Sequence, residues 1–487
     1  MTARAAIRLT VVGDSLLDID AVGRVDRVCP DAPVPVVDEI VEHPRPGGAA
    51  LAAMMAARDG HDVQLVTAWG DDQAGDRLAE LLVDVTVIRV PYDGPTPVKY
   101  RVRSGGQSIV RLDRGTDLGT FGALPTDVEH AVAAADAVLV SDYGRGITGV
   151  DELRDVLSRR PRPTPLVWDP HPRGSQPVAG AQLVTPNSTE AADWADRRGR
   201  RQRVGSALAT AAHHADALVD GWRVGAVAVT MSARGALLSY GYGAPVVVPA
   251  PEVDCRDACG AGDRFASAAA IALGSGLIPA EAVQAAVTAA SAYVASGGPA
   301  SPVAASEAPL DDLPLTDADS RVPSERSVEA VLRRVRHDGG VVVATGGCFD
   351  LLHAGHVSAL TAARSLGDCL VVCLNSDASV RRLKGDNRPL VPMPDRVEVL
   401  EALECVDAVV VFDESTPLEA LRVLRPDIWV KGGDYAGRDV PEAEVLVEWG
   451  GQTVVVPYLA GRSTTHLVES AGRSSTTTTT SSKEMSS

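Results

Sequence analysis

The chain has 487 residues, 45% of them hydrophobic but only 4% aromatic, and a formal net charge of −18. That length predicts two to four domains, and the hydrophobic share excludes a wholly disordered chain while leaving Ala, Val and Leu to fill the cores. The acidity argues against nucleic acid or an anionic membrane as partner, since both need a basic footprint, but not against small anionic substrates held by local Arg, Lys and backbone N–H groups.

The first half reads as alternating strands and Ala-rich helices. Strands are expected at 8–13, 63–67, 137–141, 166–169, 182–185 and 226–230, most of them ending on Asp, Ser or Thr. Open α/β sheets present ligand groups at such ends. A helix is expected between Gly48 and Gly60, where Ala and Met give propensity and Asp59-Gly60 a stop. Residues 304–326, rich in Ser, Pro, Asp and Ala, break the rhythm and read as a linker. A second series follows, with strands at 340–345, 369–375, 408–412, 428–431 and 453–456 and a helix from about His353. The last residues, SSTTTTTSSKEMSS, are of low complexity and expected to be disordered.

The organisation expected is therefore a domain at 1–310, a linker at 311–335, a domain at 336–470 and a tail at 471–487. The halves carry different motifs, so the chain reads as a fusion and not a duplication. No apolar run reaches the roughly 18 residues of a membrane-spanning helix, and the opening residues lack the apolar core of a signal peptide. Seven cysteines without a C-x-x-C predict free thiols in a reducing cytoplasm rather than a disulfide framework or zinc ribbon.

The strongest chemical signal of the first half is Asp257-Ala258-Cys259-Gly260-Ala261-Gly262-Asp263, which opens an Ala-rich helix running to about Gly274. Two glycines at a helix start expose backbone N–H groups to an anion, and the helix dipole adds positive potential. Phosphoryl transfer needs such an anion hole beside a base for the attacking hydroxyl. Asp263, in the first turn, is placed to be that base, and Gly260, Ala261 and Gly262 to bind phosphate. A merely capped helix would carry the same letters about half the time, so the companions matter.

Asp14 and Asp18 follow the first strand, where carboxylates bind sugar hydroxyls. Gly47 and Gly48 start a helix where backbone must approach a ligand. Asn187 and Glu190 are placed to order Mg²⁺ through water. Together with Gly70-Asp71-Asp72 and Gly75, these segments resemble the ribokinase-like carbohydrate kinases over about residues 8–305.

Cys29-Pro-Asp-Ala-Pro-Val-Pro-Val-Val37, Gln107-Ser-Ile-Val-Arg-Leu-Asp113 and Ser141-Asp142-Tyr143-Gly144-Arg145-Gly146 resemble the heptose-7-phosphate kinases in particular. The resemblance implies Asp263 as catalytic base and a sugar phosphate phosphorylated on its anomeric hydroxyl. It implies sugar contacts from Asp14, Asp18, Gly47, Gly48, Arg111 and Asp142, with Arg101 and Arg103 beside Arg111 for the existing phosphate. Three positions depart from the pattern. Leu51 stands where the family has Asn, and Arg145 and His171 stand where it has Lys. These leave open a module with weakened or lost kinase activity, against which the intact motif at 260–263 argues.

In the second half, Gly347-Cys348-Phe349-Asp350-Leu351-Leu352-His353-Ala354-Gly355-His356 follows a strand and opens a helix. Histidines three apart share one face of the first turn, where an anion binds. Two imidazole donors there stabilise charge on an attacked α-phosphate and its leaving pyrophosphate. A zinc site would need a further ligand or an H-E-x-x-H glutamate, and neither is near. Arg396 alone reads as a surface residue, and Cys369 and Cys373 as core thiols.

The segment resembles the HxGH nucleotidyltransferases over about residues 340–470, with support from Asn375-Ser376-Asp377, Lys384-Gly385-Asp386-Asn387-Arg388-Pro389, Lys431-Gly432-Gly433-Asp434-Tyr435 and Ser463-Thr464-Thr465. The resemblance implies that His353 and His356 contact the triphosphate and that Lys384 neutralises the attacking and α-phosphates. Ser463, Thr464 and Thr465 would cap the β- and γ-phosphates. Gly347, Phe349, Asp350, Gly355, Lys431 and Gly432 complete the expected nucleotide site, and Arg396 would assist in binding phosphate.

In this order the halves resemble the bifunctional heptose-7-phosphate kinase/heptose-1-phosphate adenylyltransferase family. The fold class expected is α/β: a ribokinase-like α/β domain with a small β lid, then a Rossmann-like HxGH nucleotidyltransferase domain. The resemblance implies ATP for both domains, Mg²⁺, a monovalent cation in the first, small sugar phosphates as partners, a cytoplasmic location and a homodimer through the first domain. A cytidylyltransferase acting on another sugar or polyol phosphate stays open for the second, because the base-reading residues are not legible.

Overall fold

The computed structural model describes residues 6–161, 163–199, 206–255, 257–298, 327–433 and 440–457. It divides into two compact units, Met1–Tyr242 with Ala250–Leu313, and Gly243–Pro249 with Pro314–Ser487.

The sheet of the first unit runs Ala236–Ser239, Val227–Thr230, Leu183–Val184, Leu166–Asp169, Ala137–Ser141, Arg8–Gly13, Asp62–Thr67 and Thr86–Arg89. All neighbours are parallel except the first pair. Its central strands are apolar on both faces because helices cover both, as parallel sheets require. Leu9, Val11 and Val12 are wholly buried on the central strand, as are Ala49, Ala50, Ala52 and Ala53 on the helix Ala49–Arg58. Few aromatics are needed where alanine lets helix and sheet lie close.

A four-stranded lid is built from Pro35–Gly48, Ser15–Val28, Val98–Ser104 and Gln107–Arg114. Its middle pair is parallel, with Asp18 opposite Lys99 and Asp20 opposite Arg101. The outer pairs are antiparallel. That register places acid beside base across the sheet.

The second unit has a parallel sheet ordered Ala408–Phe412, Cys369–Asn375, Val342–Gly347, Ile428–Gly432 and Gln452–Val456. The strand Val246–Val248, within this unit's Gly243–Pro249 segment, pairs in parallel with Gln452–Val456. Cys369 and Cys373 are fully buried on their strand, and all seven cysteines are free. Trp429 is wholly buried in this core, as Trp168 is in the first.

The expected linker at 311–335 is corrected at its end. Val328–His337 is a helix capped by Ser327, with Val331, Leu332 and Val335 buried. Ser and Pro upstream mask an amphipathic stripe that needs only those apolar residues. The remainder of that segment, and the tail at 471–487, lie outside the described residues. Among the described residues no helix is long and apolar enough to cross a membrane.

Candidate active sites

In the first unit, Gly260 turns the chain into the helix Ala261–Gly274 with φ of 81° and no side chain capping the end. A Cβ there would lie 2.8 Å from both Leu51 Cδ2 and Tyr293 Oη, so only glycine fits the turn and the packing. The N–H groups of the first turn have no acceptor within the helix, and Gly262 faces open space. Leu51, one of the departures from the family pattern, is thus core beneath this turn.

Asp263 is buried on that first turn. Tyr143 Oη donates to its two carboxylate oxygens at 2.9 and 2.8 Å. Burial pushes the carboxyl up to about 7, with Asp18 adding to the rise and Tyr143, Lys99 and Arg45 opposing it. A carboxylate so tuned is half ready to take a proton at neutral pH.

The lid brings a charged cluster to the same place. Asp18 accepts from Arg45 Nη1 at 2.9 Å and from Arg101 Nη1 at 2.7 Å, while Arg45 Nε donates to Asp20 at 3.1 Å. Arg103 pairs with Asp257 of the anion-hole segment at 2.7 Å. The Lys99 ammonium lies 4.8 Å from the Tyr143 ring centre, and burial lowers its pKa, with Arg111 and Arg101 adding to that. Arg111 lies on an exposed strand and is held by Asp113 at 2.5 and 2.7 Å.

Asp14 and Asp142 are both buried and committed to backbone. Asp14 accepts from the N–H groups of Tyr143, Arg145 and Ile147 at 3.0, 2.9 and 3.3 Å. Asp142 accepts from the Gly144 N–H at 2.7 Å, the Ser175 N–H at 2.9 Å and Thr148 Oγ1 at 2.8 Å. Burial, helped by Asp142, pushes the Asp14 carboxyl up to about 6.

Gly48 has φ of 62°, and a Cβ there would sit 2.5 Å from the Asp14 carbonyl oxygen. At Gly47 it would meet Leu16 at 2.4 Å and Asp18 Oδ2 at 2.8 Å. Arg145 donates to the carbonyls of Gly115, Thr116 and Asp117 at 2.6–2.9 Å, and His171 Nδ1 accepts the Arg173 N–H at 3.1 Å. Each departure from the family pattern thus has a structural partner.

Asn187 caps the helix Ser188–Asp196 in a reciprocal box with Glu190. The Asn187 side chain accepts from the N–H groups of Thr189 and Glu190 at 2.9 and 3.0 Å, and Glu190 Oε2 accepts from the Asn187 N–H at 2.9 Å. Burial raises the Glu190 carboxyl. Asp169, half-buried at the end of its strand, is held well above the ordinary range by desolvation and then by Glu190 and Asp263. Sequence reasoning gave no role to Asp169, Tyr143, Lys99 or Arg45. They come from separate elements, and only the lid register and the sheet order join them.

In the second unit, the strand Val342–Gly347 runs into a tight turn in which Phe349 has φ of 44°. That conformation is rare for a bulky residue. The Phe349 ring lies over Gly347, where a Cβ would come within 3.2 Å of it, and 5.4 Å from the His356 ring. Asp350 is buried and binds the N–H groups of Leu390 and Val391 at 2.6 and 3.0 Å and Arg388 Nε at 2.6 Å. His353 caps the helix Ala354–Arg364, its Nδ1 accepting the buried Gly355's N–H at 3.1 Å. That fixes the tautomer with the proton on Nε2.

The rings of His353 and His356 are 3.9 Å apart. Burial lowers the pKa of both. His356 falls to about 4, with His353 and Lys384 contributing, so His356 is an uncharged donor at neutral pH. Lys384 ends the helix Asp377–Lys384 and acts as a cation on His356 and, with Arg396 and Arg388, on Cys348.

Arg396 is 1% exposed, which corrects its reading as a surface residue. It donates to the carbonyls of Val391, Cys348 and Asn375 at 3.0, 2.6 and 2.9 Å and to Asp377 at 2.7 Å. It ties the turn at Cys348 to the end of the neighbouring strand. Lys431, at the strand end beside Gly432, pairs with the buried Glu442 at 2.8 Å, and its ammonium lies 5.4 Å from the Trp429 ring. Ser463, Thr464 and Thr465 lie outside the described residues.

A buried carboxylate beside an uncapped glycine-rich helix start, under a lid, is the arrangement of a carbohydrate kinase. A histidine pair at the helix start after the first strand of a parallel sheet is that of a nucleotidyltransferase. The pfkB family of carbohydrate kinases matches residues 6–305, and the cytidylyltransferase-like family matches residues 344–476. The chain is 55% identical to the bifunctional protein HldE of Streptomyces coelicolor, over 97% of this chain and 99% of that one. It is 40% identical to HldE of Gluconobacter oxydans (95% and 97% covered) and 38% identical to HldE of Azorhizobium caulinodans (95% and 98% covered). The chain belongs to the HldE family of bifunctional proteins, a pfkB carbohydrate kinase joined to a nucleotidyltransferase.

Proposed function

We infer that the two units catalyse two steps of ADP-heptose formation. The first transfers the γ-phosphoryl group of ATP to the anomeric hydroxyl of heptose 7-phosphate, giving heptose 1,7-bisphosphate and ADP. The second transfers the adenylyl group of ATP to heptose 1-phosphate, giving ADP-heptose and pyrophosphate. A phosphatase must act between them. The observation that carries this reading is similarity to HldE along nearly the whole chain, with both motifs intact.

In the kinase step, Asp263 takes the sugar hydroxyl proton as that oxygen bonds to the γ-phosphorus and the bond to ADP breaks. The first-turn N–H groups around Gly262 take the developing charge. In the lid, Lys99 and Arg101 suit the existing phosphate and Asp18 the sugar hydroxyls, with Gly47 and Gly48 admitting backbone approach. In the transfer step, the sugar phosphate oxygen attacks the α-phosphorus and pyrophosphate leaves. Nε2–H of His353 and the His356 ring donate to the phosphates, and Lys384 neutralises the incoming one.

Among the described residues no group of three or more acidic, His or Cys side chains gathers to hold a metal. Mg²⁺ binds mainly through ATP phosphates and water with one or two carboxylates. Glu190, half-buried and fixed by its capping box, suits such an outer contact, and the ion would supply screening of the triphosphate. The monovalent cation is tested by kinase rate with and without potassium. Free cysteines throughout suit a reducing cytoplasm. Exposed Val22, Ile40, Val41, Val110 and Leu112 on the lid support a homodimer through it.

The test is a product assay. ATP with heptose 7-phosphate gives the bisphosphate, and heptose 1-phosphate with ATP gives ADP-heptose. Faster pyrophosphate release with CTP than with ATP overturns the adenylyl assignment. Absence of bisphosphate overturns the kinase.

A further inference from the structure

We propose that Tyr143 is a positioning residue for the kinase, its phenol O–H bridging both carboxylate oxygens of Asp263 so as to fix the orientation and the protonation of the base. This rests on Asp263 being that base. The bridge is near symmetric, 2.9 and 2.8 Å to the two oxygens, so one proton holds the carboxylate plane instead of satisfying a single oxygen. Asp263 is buried and Tyr143 half-buried, so the bond is shielded on the carboxylate's side, where a hydrogen bond to an anion is strong.

The ring itself has little freedom. Its backbone N–H is bound by the buried Asp14, and Gly144 follows with φ of 70°. His171 stacks on it at 6.4 Å with 17° between planes, and the Lys99 ammonium lies 4.8 Å from its centre. Gly48 leaves room for its edge, since a Cβ there would come within 3.3 Å of Tyr143 Cδ2. A side chain packed this closely delivers its O–H to one place.

Charged and titratable groups face Asp263 from every neighbouring element. Lys99 and Arg45 favour its anion and Asp18 opposes it. Asp263 opposes the ionisation of Asp169 and of Tyr293. Burial is the largest influence and raises the carboxyl, and the Tyr143 hydrogen bond comes first among those that lower it. Removing the phenol oxygen therefore makes Asp263 harder to ionise without touching the lid charges.

The experiment is the pH profile of kinase kcat on the full chain, with pyrophosphate release by the second unit as the folding control. In Tyr143→Phe the acid limb moves to higher pH by about one unit, so the rate falls about tenfold at pH 6 and returns to the parental rate by pH 9. KM for ATP stays near parental. Site-specific 3-fluorotyrosine at position 143, a more acidic phenol, moves the limb the other way. A pH-independent loss in Tyr143→Phe, or a limb that moves in neither protein, overturns the proposal. If Tyr143→Phe loses both activities through misfolding, the fluorotyrosine profile alone decides. Asp263→Asn separates the two levels: a parental kinase rate in that variant removes the base assignment itself, whereas an inactive Asp263→Asn beside an unmoved limb in Tyr143→Phe removes only the role of Tyr143.

Discussion

His353 does two jobs that can be separated by substitution. Its Nδ1 accepts the Gly355 N–H at 3.1 Å and caps the helix Ala354–Arg364, which leaves Nε2–H for phosphate. Asparagine keeps an acceptor at the cap but removes the distal donor. Glutamine places an N–H near Nε2 but gives up the cap, and alanine loses both. Loss of a transition-state donor costs about 2.7–4 kcal/mol, or 10²–10³ in rate. Loss of the cap costs about 1 kcal/mol of stability. His353→Asn should therefore lose pyrophosphate release by about 10² or more at parental stability. His353→Gln should retain more rate at a lower unfolding temperature, and His353→Ala should lose both. The measurement is pyrophosphate release from heptose 1-phosphate and ATP, beside thermal unfolding, with kinase turnover of the same protein as internal standard. Parental release in His353→Asn refutes the donor role. Equal rate losses in Asn and Gln variants would mean that ring shape, and not the Nε2 proton, is what the site needs.

Arg396→Leu strands three carbonyls and the Asp377 carboxylate, so the second unit should lose about 3–5 kcal/mol; thermal inactivation of nucleotidyl transfer reads this, and a parental midpoint refutes it. The two activities should differ in pH dependence. Kinase rate falls as pH drops through about 7 because Asp263 takes a proton, while His356, charged only near pH 4, adds no limb of its own to transfer in that window. A shared limb near neutrality contradicts this. Val41→Glu with Leu112→Glu should convert a dimer to monomers in light scattering while transfer persists, and a parent already monomeric at micromolar concentration removes the lid interface.

Much of the architecture was legible because its signals are local. Strand runs such as Arg8–Gly13, Ala137–Ser141 and Cys369–Asn375 are apolar stretches closed by Gly, Ser or Asn. Each helix start proposed to bind an anion is one short segment, with Gly260 or His353 at its head. What escaped depends on distance along the chain. Tyr143 meets Asp263 across 120 residues, and Lys99 meets Asp18 only through the parallel register of the lid. Arg111 looked equivalent to Arg101 in sequence. On the lid Arg101 reaches Asp18, whereas Arg111 is taken by its near neighbour Asp113. Arg396 looked like any helical arginine, and no pattern of letters marks the three carbonyls that bury it. Asp14 and Asp142, expected as sugar ligands, also hold loop amides, and the sequence carries no mark of that second task.

Trp429 has an optical consequence. Its indole lies behind the second site, with the Lys431 ammonium 5.4 Å from its ring and Gly346 so near that a Cβ there would come within 2.7 Å of it. Indole emission shifts when a neighbouring charge moves. Any nucleotide that draws Lys431 away from Glu442 should therefore change the colour and yield of that fluorescence. The chain carries six tryptophans, and only Trp429 and Trp449 belong to the second unit. In a Trp449→Phe background, light from this unit would come from Trp429 alone, so occupancy of the second site could be followed without an attached dye.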